Sequence, residues 1–207
     1  MRRLLSSLSA ILALSLVAPA CAQDVSFEDY LQQVAGKARA EGVSERTISE
    51  VLFSLTPNQR VIDLDRDNVS SGGSSSGFPP LAPYLRNHNT QARINGGRRV
   101  YAQLQPLAAQ VEARYGVPAN ILIAIWGHET SYGAVRGNFD LPRSLATLAW
   151  EGRRRDLFER ELIDVLKIAD SGVPRSSLVG TWAGAFGNPQ FLPSVYLRLA
   201  VDGDGDG

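Results

Sequence analysis

Glu129 stands where a carboxyl could do acid–base work. It follows the apolar run Ile121-Leu122-Ile123-Ala124-Ile125-Trp126, with Ile125 and Leu122 four and seven residues before it. On a helix those residues share a face. A carboxyl at the mouth of an apolar helix loses water, which disfavours its charged form. The negative end of the helix dipole acts the same way. Both effects would raise its pKa, as a general acid working near neutral pH requires. The same pattern also fits a surface glutamate just past the helix end. His128, beside it, points about a third of a turn away and fits a solvated or capping role better than a catalytic one.

A second stretch, Gly180-Thr181-Trp182-Ala183-Gly184-Ala185-Phe186-Gly187-Asn188-Pro189-Gln190-Phe191-Leu192-Pro193-Ser194, alternates small residues with aromatics. Glycine lets a ligand approach the backbone, and a flat ring beside an amide suits a sugar. A tight, well-packed turn would use the same residues. Metal and disulfide chemistry have little to draw on. The chain has one Cys, Cys21, and two His, His88 and His128, which excludes a disulfide framework or a Cys-based zinc site.

The elements that must position these groups read as helices. Gly116-Val117-Pro118 punctuates the chain, and Pro118 suits a helix start. The run 121–126 is apolar on all sides, which predicts a central, buried helix. From about Tyr101, a stripe of Leu104, Leu107, Ala108, Val111 and Tyr115 predicts the preceding helix, closed by Gly116. Nearer the start, Phe27, Tyr30, Leu31, Val34 and Ala38 recur at helical intervals, and Gly42 ends them. Ser44 is placed to cap a second helix with Ile48, Val51, Leu52 and Leu55. Thr56-Pro57-Asn58 reads as a turn. Asn68 to Pro80 turns to Ser and Gly, the composition of a flexible surface loop. No run of alternating strands stands out, so the fold class is mainly α (α+β).

The whole chain of 207 residues carries 21 basic and 21 acidic side chains. A net charge of zero gives no electrostatic argument for nucleic acid. The hydrophobic share of 44% is that of a globular protein. Arg2 and Arg3, the apolar stretch Leu4 to Val17 and the small residues Ala20-Cys21-Ala22 form a secretory signal over residues 1–22, too short for a membrane span. Its removal leaves 19 basic against 21 acidic side chains. Export to the periplasm is therefore expected. The alternative is a lipoprotein anchored through Cys21, although Pro19 makes a poor lipobox. With no second Cys, an exported chain must hold its shape by packing.

Gly127-His128-Glu129-Thr130-Ser131-Tyr132-Gly133, together with the stretch 180–194, resembles the B-type lytic murein transglycosylases, glycoside hydrolase family 103, which have a lysozyme-like core. The resemblance takes in Ser144-Leu145-Ala146-Thr147-Leu148 and Arg153-Arg154 before Asp156-Leu157-Phe158. It reaches back to Thr56-Pro57, Arg60-Val61-Ile62 and Phe27, and forward to Ala200-Val201-Asp202. It implies cleavage of the β-1,4 bond between N-acetylmuramic acid and N-acetylglucosamine in peptidoglycan, with a 1,6-anhydro product. Most glycosidases use two carboxylates. In this family one glutamate, here Glu129, protonates the leaving oxygen. It then takes the proton of the sugar's own 6-hydroxyl, while the substrate's acetamido group stabilises the developing charge. No second acid stands in either motif, as that scheme requires.

By the same resemblance Thr181 is a hydroxyl near Glu129 and the substrate acetamido group, and Gln190 and Phe191 contact the glycan. Arg153 and Arg154 meet lactyl or peptide carboxylates, or form a solvated basic face. Tyr132 and Trp182 line the groove or pack. Asp202, Asp204 and Asp206 with Gly207 match positions 1, 3, 5 and 6 of an EF-hand loop, where relatives bind calcium. No cofactor is required for the chemistry, and half a loop would hold calcium weakly.

The expected organisation is a signal over 1–22, an N-terminal helical region over 23–100 with a Ser/Gly-rich loop at 68–80, and a lysozyme-like catalytic core over 101–207, incomplete at its C-terminus. The expected partner is peptidoglycan glycan strands, acted on by a monomer. Two alternatives stay open: a muramidase using the same glutamate with water, and a non-catalytic glycan-binding remnant. The Ser/Gly stretch at 70–77 and the missing C-terminal part depart from the family pattern.

Overall fold

The computed structural model describes residues 25–72 and 80–203. The expected signal at 1–22 with Cys21, the middle of the Ser/Gly stretch, and Asp204 and Asp206 lie outside the described residues.

The first helix, α1 (Phe27–Ala40), starts where Ser26 Oγ accepts the Asp29 amide at 3.0 Å. It buries Phe27, Tyr30, Leu31, Val34, Ala35 and Ala38, the face read from the spacing. Gly42, at φ +90°, reverses the chain in a left-handed conformation that costs other residues strain. Ser44 then caps the short α2 (Glu45–Thr47) by accepting the Thr47 amide, and a π-helical turn follows over Ile48–Leu52. Asp170 ties this corner down by accepting both the Ser44 hydroxyl and, at 2.5 Å, the Thr47 hydroxyl. Those donors hold its carboxyl below the usual carboxylate range.

Thr56 and Pro57, expected in a turn, lie in an irregular stretch after the turn at 53–54, and Arg143 fastens it by donating to both carbonyls at 2.8 Å. Helix α3 (Gln59–Gly72) carries buried Val61, Ile62 and Asp65. It runs into the segment expected as a loop: residues 68–72 are helical. The buried face of its first two turns sets the helix, and the weak propensity of Ser and Gly does not stop it at once.

Helix α4 (Leu81–His88) is short and has no buried residue. Helix α5 (Gln91–Tyr115) begins ten residues before the stripe that predicted it and ends at left-handed Gly116. The boundary expected at 100/101 therefore falls inside one helix. Of the predicted stripe only Ala108 is buried, while Leu107 and Tyr115 are exposed.

The centre of the molecule is α7 (Leu141–Glu151), capped by the Asp140 carboxylate. Eight of its eleven residues are buried. Many are small (Ser144, Ala146, Thr147, Ala149), so neighbouring helices can approach its backbone closely. Gly152, at φ +97°, turns the chain into α8 (Arg155–Asp170). Helices α1, α3 and α8 pack on α7, and one apolar core runs from Phe27 and Val34 through Leu145 and Leu148 to Leu166. The N-terminal helices thus share their core with the later part of the chain. Trp150 joins the two ends of that core. Its indole donates to the Val25 carbonyl at 2.8 Å, and its ring meets Phe27 edge-on at 5.5 Å.

Among the described residues two short strands pair. The first, β1 (Phe139–Asp140), pairs antiparallel with β2 (Val179–Gly180). The last helix, α9 (Pro193–Leu199), is held by buried Glu161 of α8, which accepts the Ser194 amide at 2.9 Å and hydroxyl at 2.7 Å. The mainly α reading stands.

Candidate active site

Glu129 lies one residue from the end of α6 (Ala119–Thr130). This helix is not the central, buried one expected. It buries Ala119, Ile123, Gly127 and Thr130 and packs chiefly on α5. Ile121 and Ile125 are about half exposed, and Glu129 is exposed with them. The apolar mouth that would strip water from the carboxyl is therefore missing among the described residues. The exposed face carries the acid into solvent, where a long substrate could reach it.

The helix ends in three successive left-handed residues, Ser131, Tyr132 and Gly133, at φ 51°, 60° and 86°. Two of them are not glycine, so packing must hold the turn. Tyr132 does so from the side. Its hydroxyl donates to the Arg93 carbonyl of α5 at 2.8 Å, and its ring lies over Gly96, Gly97 and Gly127. A Cβ on Gly127 would come within 2.3 Å of Tyr132 Cζ. Tyr132 packs in this way and also borders a cavity between α5 and α6. Gly127→Ala should cost about 1–3 kcal/mol by overpacking, read as a lower melting temperature. An unchanged melt would show that the ring can retreat.

The second motif folds into a stitched loop. The Thr181 amide donates to the Ala185 carbonyl at 2.7 Å, and Phe186 and Phe191 exchange backbone bonds at 2.8 and 2.9 Å. Gly184, at φ +94°, sits so close to the core that a Cβ would meet Leu145 Cδ2 at 2.6 Å. The Thr181 hydroxyl accepts the Ala185 amide at 3.1 Å and keeps its own proton to donate. Gln190 donates to the Gly187 carbonyl at 2.8 Å, while its carbonyl oxygen is buried without a partner. Phe191 is 43% exposed.

Asn188 joins this loop to α6. Asn188 Oδ1 accepts the Thr130 hydroxyl at 2.8 Å and the Trp126 indole N–H. Sequence reasoning missed that contact, because the partners lie 58 and 62 residues apart along the chain. Trp126 and Thr130, which flank Glu129 along α6, are thereby joined to the loop that also bears Thr181, Gln190 and Phe191.

Arg153 and Arg154 are used elsewhere. Both pair with Asp65 of α3, Arg153 through its Nε at 2.6 Å and a second bond, Arg154 at 3.4 Å. Asp65 is 1% exposed, and its Arg153 hydrogen bonds hold its carboxyl below the usual range. Neither reading of the arginines, as carboxylate binders or as a solvated basic face, foresaw that buried partner. It lies 88 residues upstream of Arg153.

His128 does not cap the helix. It stacks on His88 at 5.1 Å, and His88 in turn stacks on Tyr84 at 4.0 Å. Beside this stack a cavity of about 440 Å³ opens between α5 and α6, lined by Arg93, Tyr101, Ile123, His128 and Tyr132 among others. Among the described residues no cluster of three His, Cys, Asp or Glu side chains could hold a metal ion. Asp202 is exposed.

A family model described as transglycosylase SLT domain matches residues 26–207. The chain belongs to that family. Over 194 residues this transglycosylase SLT domain is 30% identical to the membrane-bound lytic murein transglycosylase B of Escherichia coli (strain K12), covering 90% of the chain and 52% of that relative. Among solved structures it resembles SltB3 from Pseudomonas aeruginosa in complex with NAG-anhNAM-pentapeptide. The TM-score is 0.78 and the identity 37%, over 87% of this chain and 47% of that one. It also resembles the Escherichia coli lytic transglycosylase Slt35 in complex with calcium, with a TM-score of 0.75 and 29% identity, over 87% of this chain and 56% of that one. The chain spans about half the length of these relatives. The lysozyme-like reading of the fold agrees with these likenesses.

Proposed function

We propose that the chain is a peptidoglycan lytic transglycosylase that cleaves the MurNAc-β-1,4-GlcNAc bond with formation of 1,6-anhydroMurNAc. Glu129 serves as acid and then base. The observation that supports this reading is the meeting of the two motifs: the end of α6 carries an exposed glutamate, and its neighbours Thr130 and Trp126 are joined through Asn188 to the loop of Thr181 and Gln190. The SltB3 structure that this chain resembles holds a NAG-anhNAM-pentapeptide, a product of the expected kind.

The geometry supports a role for each group. Glu129 reaches solvent, so a glycan strand lying across the helix end can present its bridging oxygen. The first proton goes from Glu129 to that oxygen as the C1–O bond breaks. The 6-hydroxyl of the same sugar then attacks C1 and gives its proton to the carboxylate, so no water is consumed. Thr181 has a free hydroxyl proton to offer the acetamido oxygen. Phe191 presents an exposed ring on which a sugar face can rest, and Gln190 fixes the loop behind it. Arg153 and Arg154 remain turned to Asp65 and hold the fold.

The working form is a monomer acting on glycan strands in the periplasm, delivered by the signal at residues 1–22; the alternative delivery is a lipid anchor on Cys21. The chemistry needs no cofactor. The Slt35 relative has a structure with calcium. In this chain Asp202, Asp204 and Asp206 supply three of the carboxylates such a loop uses. With a dissociation constant of about 1 mM or weaker, 1 mM calcium would stabilise the fold by at most about 0.4 kcal/mol. A calcium titration of the 207-residue chain should therefore move its melting temperature by no more than about a degree. A rise of several degrees would establish a working site.

Clearing of a murein suspension tests the proposal. The parent chain should lower its turbidity. A chain that sediments with murein and leaves it intact would be a binding module instead.

A further inference from the structure

Asn188 reaches out of its loop into the end of the helix that carries Glu129. Its Oδ1 takes two donors at once, the Thr130 hydroxyl at 2.8 Å and the Trp126 indole N–H. Its Nδ2 lies against Gly133, where a Cβ would sit 2.6 Å away. Thr130 is fully buried, and its hydroxyl oxygen accepts the Gly133 amide at 2.9 Å. Trp126, Thr130 and Gly133 bracket Glu129 on both sides, and one amide oxygen gathers two of them.

The chemistry of this joint is specific. A carbonyl oxygen has two acceptor sites, and an indole N–H can only donate. An apolar side chain of the same size would leave the indole and the buried hydroxyl without that acceptor.

We propose that Asn188 is a positioning residue for Glu129. Through Thr130 and Trp126 it holds the end of α6 against the loop of Thr181 and Gln190, so that acid and glycan-holding groups keep one mutual geometry. This rests on the reading of Glu129 as the acid. Misplacing a reacting group by about 1 Å can cost about a hundredfold in rate.

Asn188→Leu removes the acceptor and keeps the bulk. On a soluble fragment of alternating GlcNAc and MurNAc its kcat should fall about 10- to 100-fold, with KM changed by less than about threefold. Asn188→Asp offers the same two acceptor sites and should recover most of kcat. In ¹⁵N spectra the Trp126 indole proton should exchange faster in Asn188→Leu, while that of Trp150, bonded to Val25, stays as in the parent. An unchanged kcat in Asn188→Leu, a loss that Asn188→Asp does not recover, or an unchanged Trp126 indole would each overturn the joint. A parent chain without lytic activity would instead overturn the reading of Glu129, and the positioning role with it.

Discussion

Replacing Glu129 by Gln should reduce murein lysis by about a thousandfold or more while leaving the melting temperature unchanged. General acid–base catalysis by one positioned group contributes about 10²–10⁴-fold, and in the proposed mechanism one carboxyl performs both proton transfers. Glutamine keeps the size and hydrogen-bonding shape of the side chain but can neither give nor take the proton. The fold should not register the change, because Glu129 is exposed and α6 buries its other face through Ile123, Gly127 and Thr130. The variant should still sediment with murein, since the residues proposed to hold the glycan, Thr181, Gln190 and Phe191, are untouched. Lysis at the parent rate would reject Glu129 as the acid. A large loss of stability would assign it a structural role instead. A turbidity assay beside a thermal melt separates these outcomes.

Asp65→Asn should give the largest loss of stability among the charged residues. Asp65 is buried, and it accepts from Arg153 and Arg154 where α3 meets the turn between α7 and α8. Removing its charge leaves two guanidiniums without their counterion. Those groups are partly exposed, with side chains 37% and 42% accessible, so water takes up part of the deficit. The expected cost is about 2 kcal/mol, the range for a hydrogen bond to a charged group. That corresponds to a melting temperature lower by about 4–8 °C.

The pH dependence has a definite sign. The folded pKa of Asp65 lies below its unfolded value. Its contribution is therefore fully present above the unfolded pKa, about 3.9, and is lost as pH falls through the folded pKa. The gap in stability between parent and Asp65→Asn should be constant from neutral pH to about pH 5 and close below about pH 4. Urea melts at a series of pH values read this directly. A gap that widens on acidification would mean that the pair is not what holds this corner.

The sequence made some of this legible and hid the rest for identifiable reasons. Local rules worked where a local group decides the structure. Ser44 caps α2, Gly42 and Gly116 reverse the chain in left-handed conformations, and the buried face of α1 follows the spacing of Phe27, Tyr30, Leu31 and Val34. Burial was misjudged where a helix's neighbours decide it. The run 121–126 is more apolar than α7, yet α7 lies at the centre because Ser144, Ala146 and Thr147 let three helices approach it. The expectation of a desolvated Glu129 failed with that misjudgement. Pairings across long separations were invisible: Asp65 with Arg153, Asp170 with Ser44, Asn188 with Thr130. The two motifs were each readable as chemistry, while the contact between them belongs to Asn188, which the sequence did not single out.

The central claim is that one carboxyl cuts the glycan without water, and the ends of the cut strands report it. Purified peptidoglycan digested by the parent chain and by Glu129→Gln can be resolved by mass spectrometry of the released muropeptides. The expected result is 1,6-anhydroMurNAc ends from the parent, each about 18 Da lighter than the reducing form because a mass of water is absent, and none above background from the variant. Reducing MurNAc ends from the parent would contradict the account and make the enzyme a hydrolase.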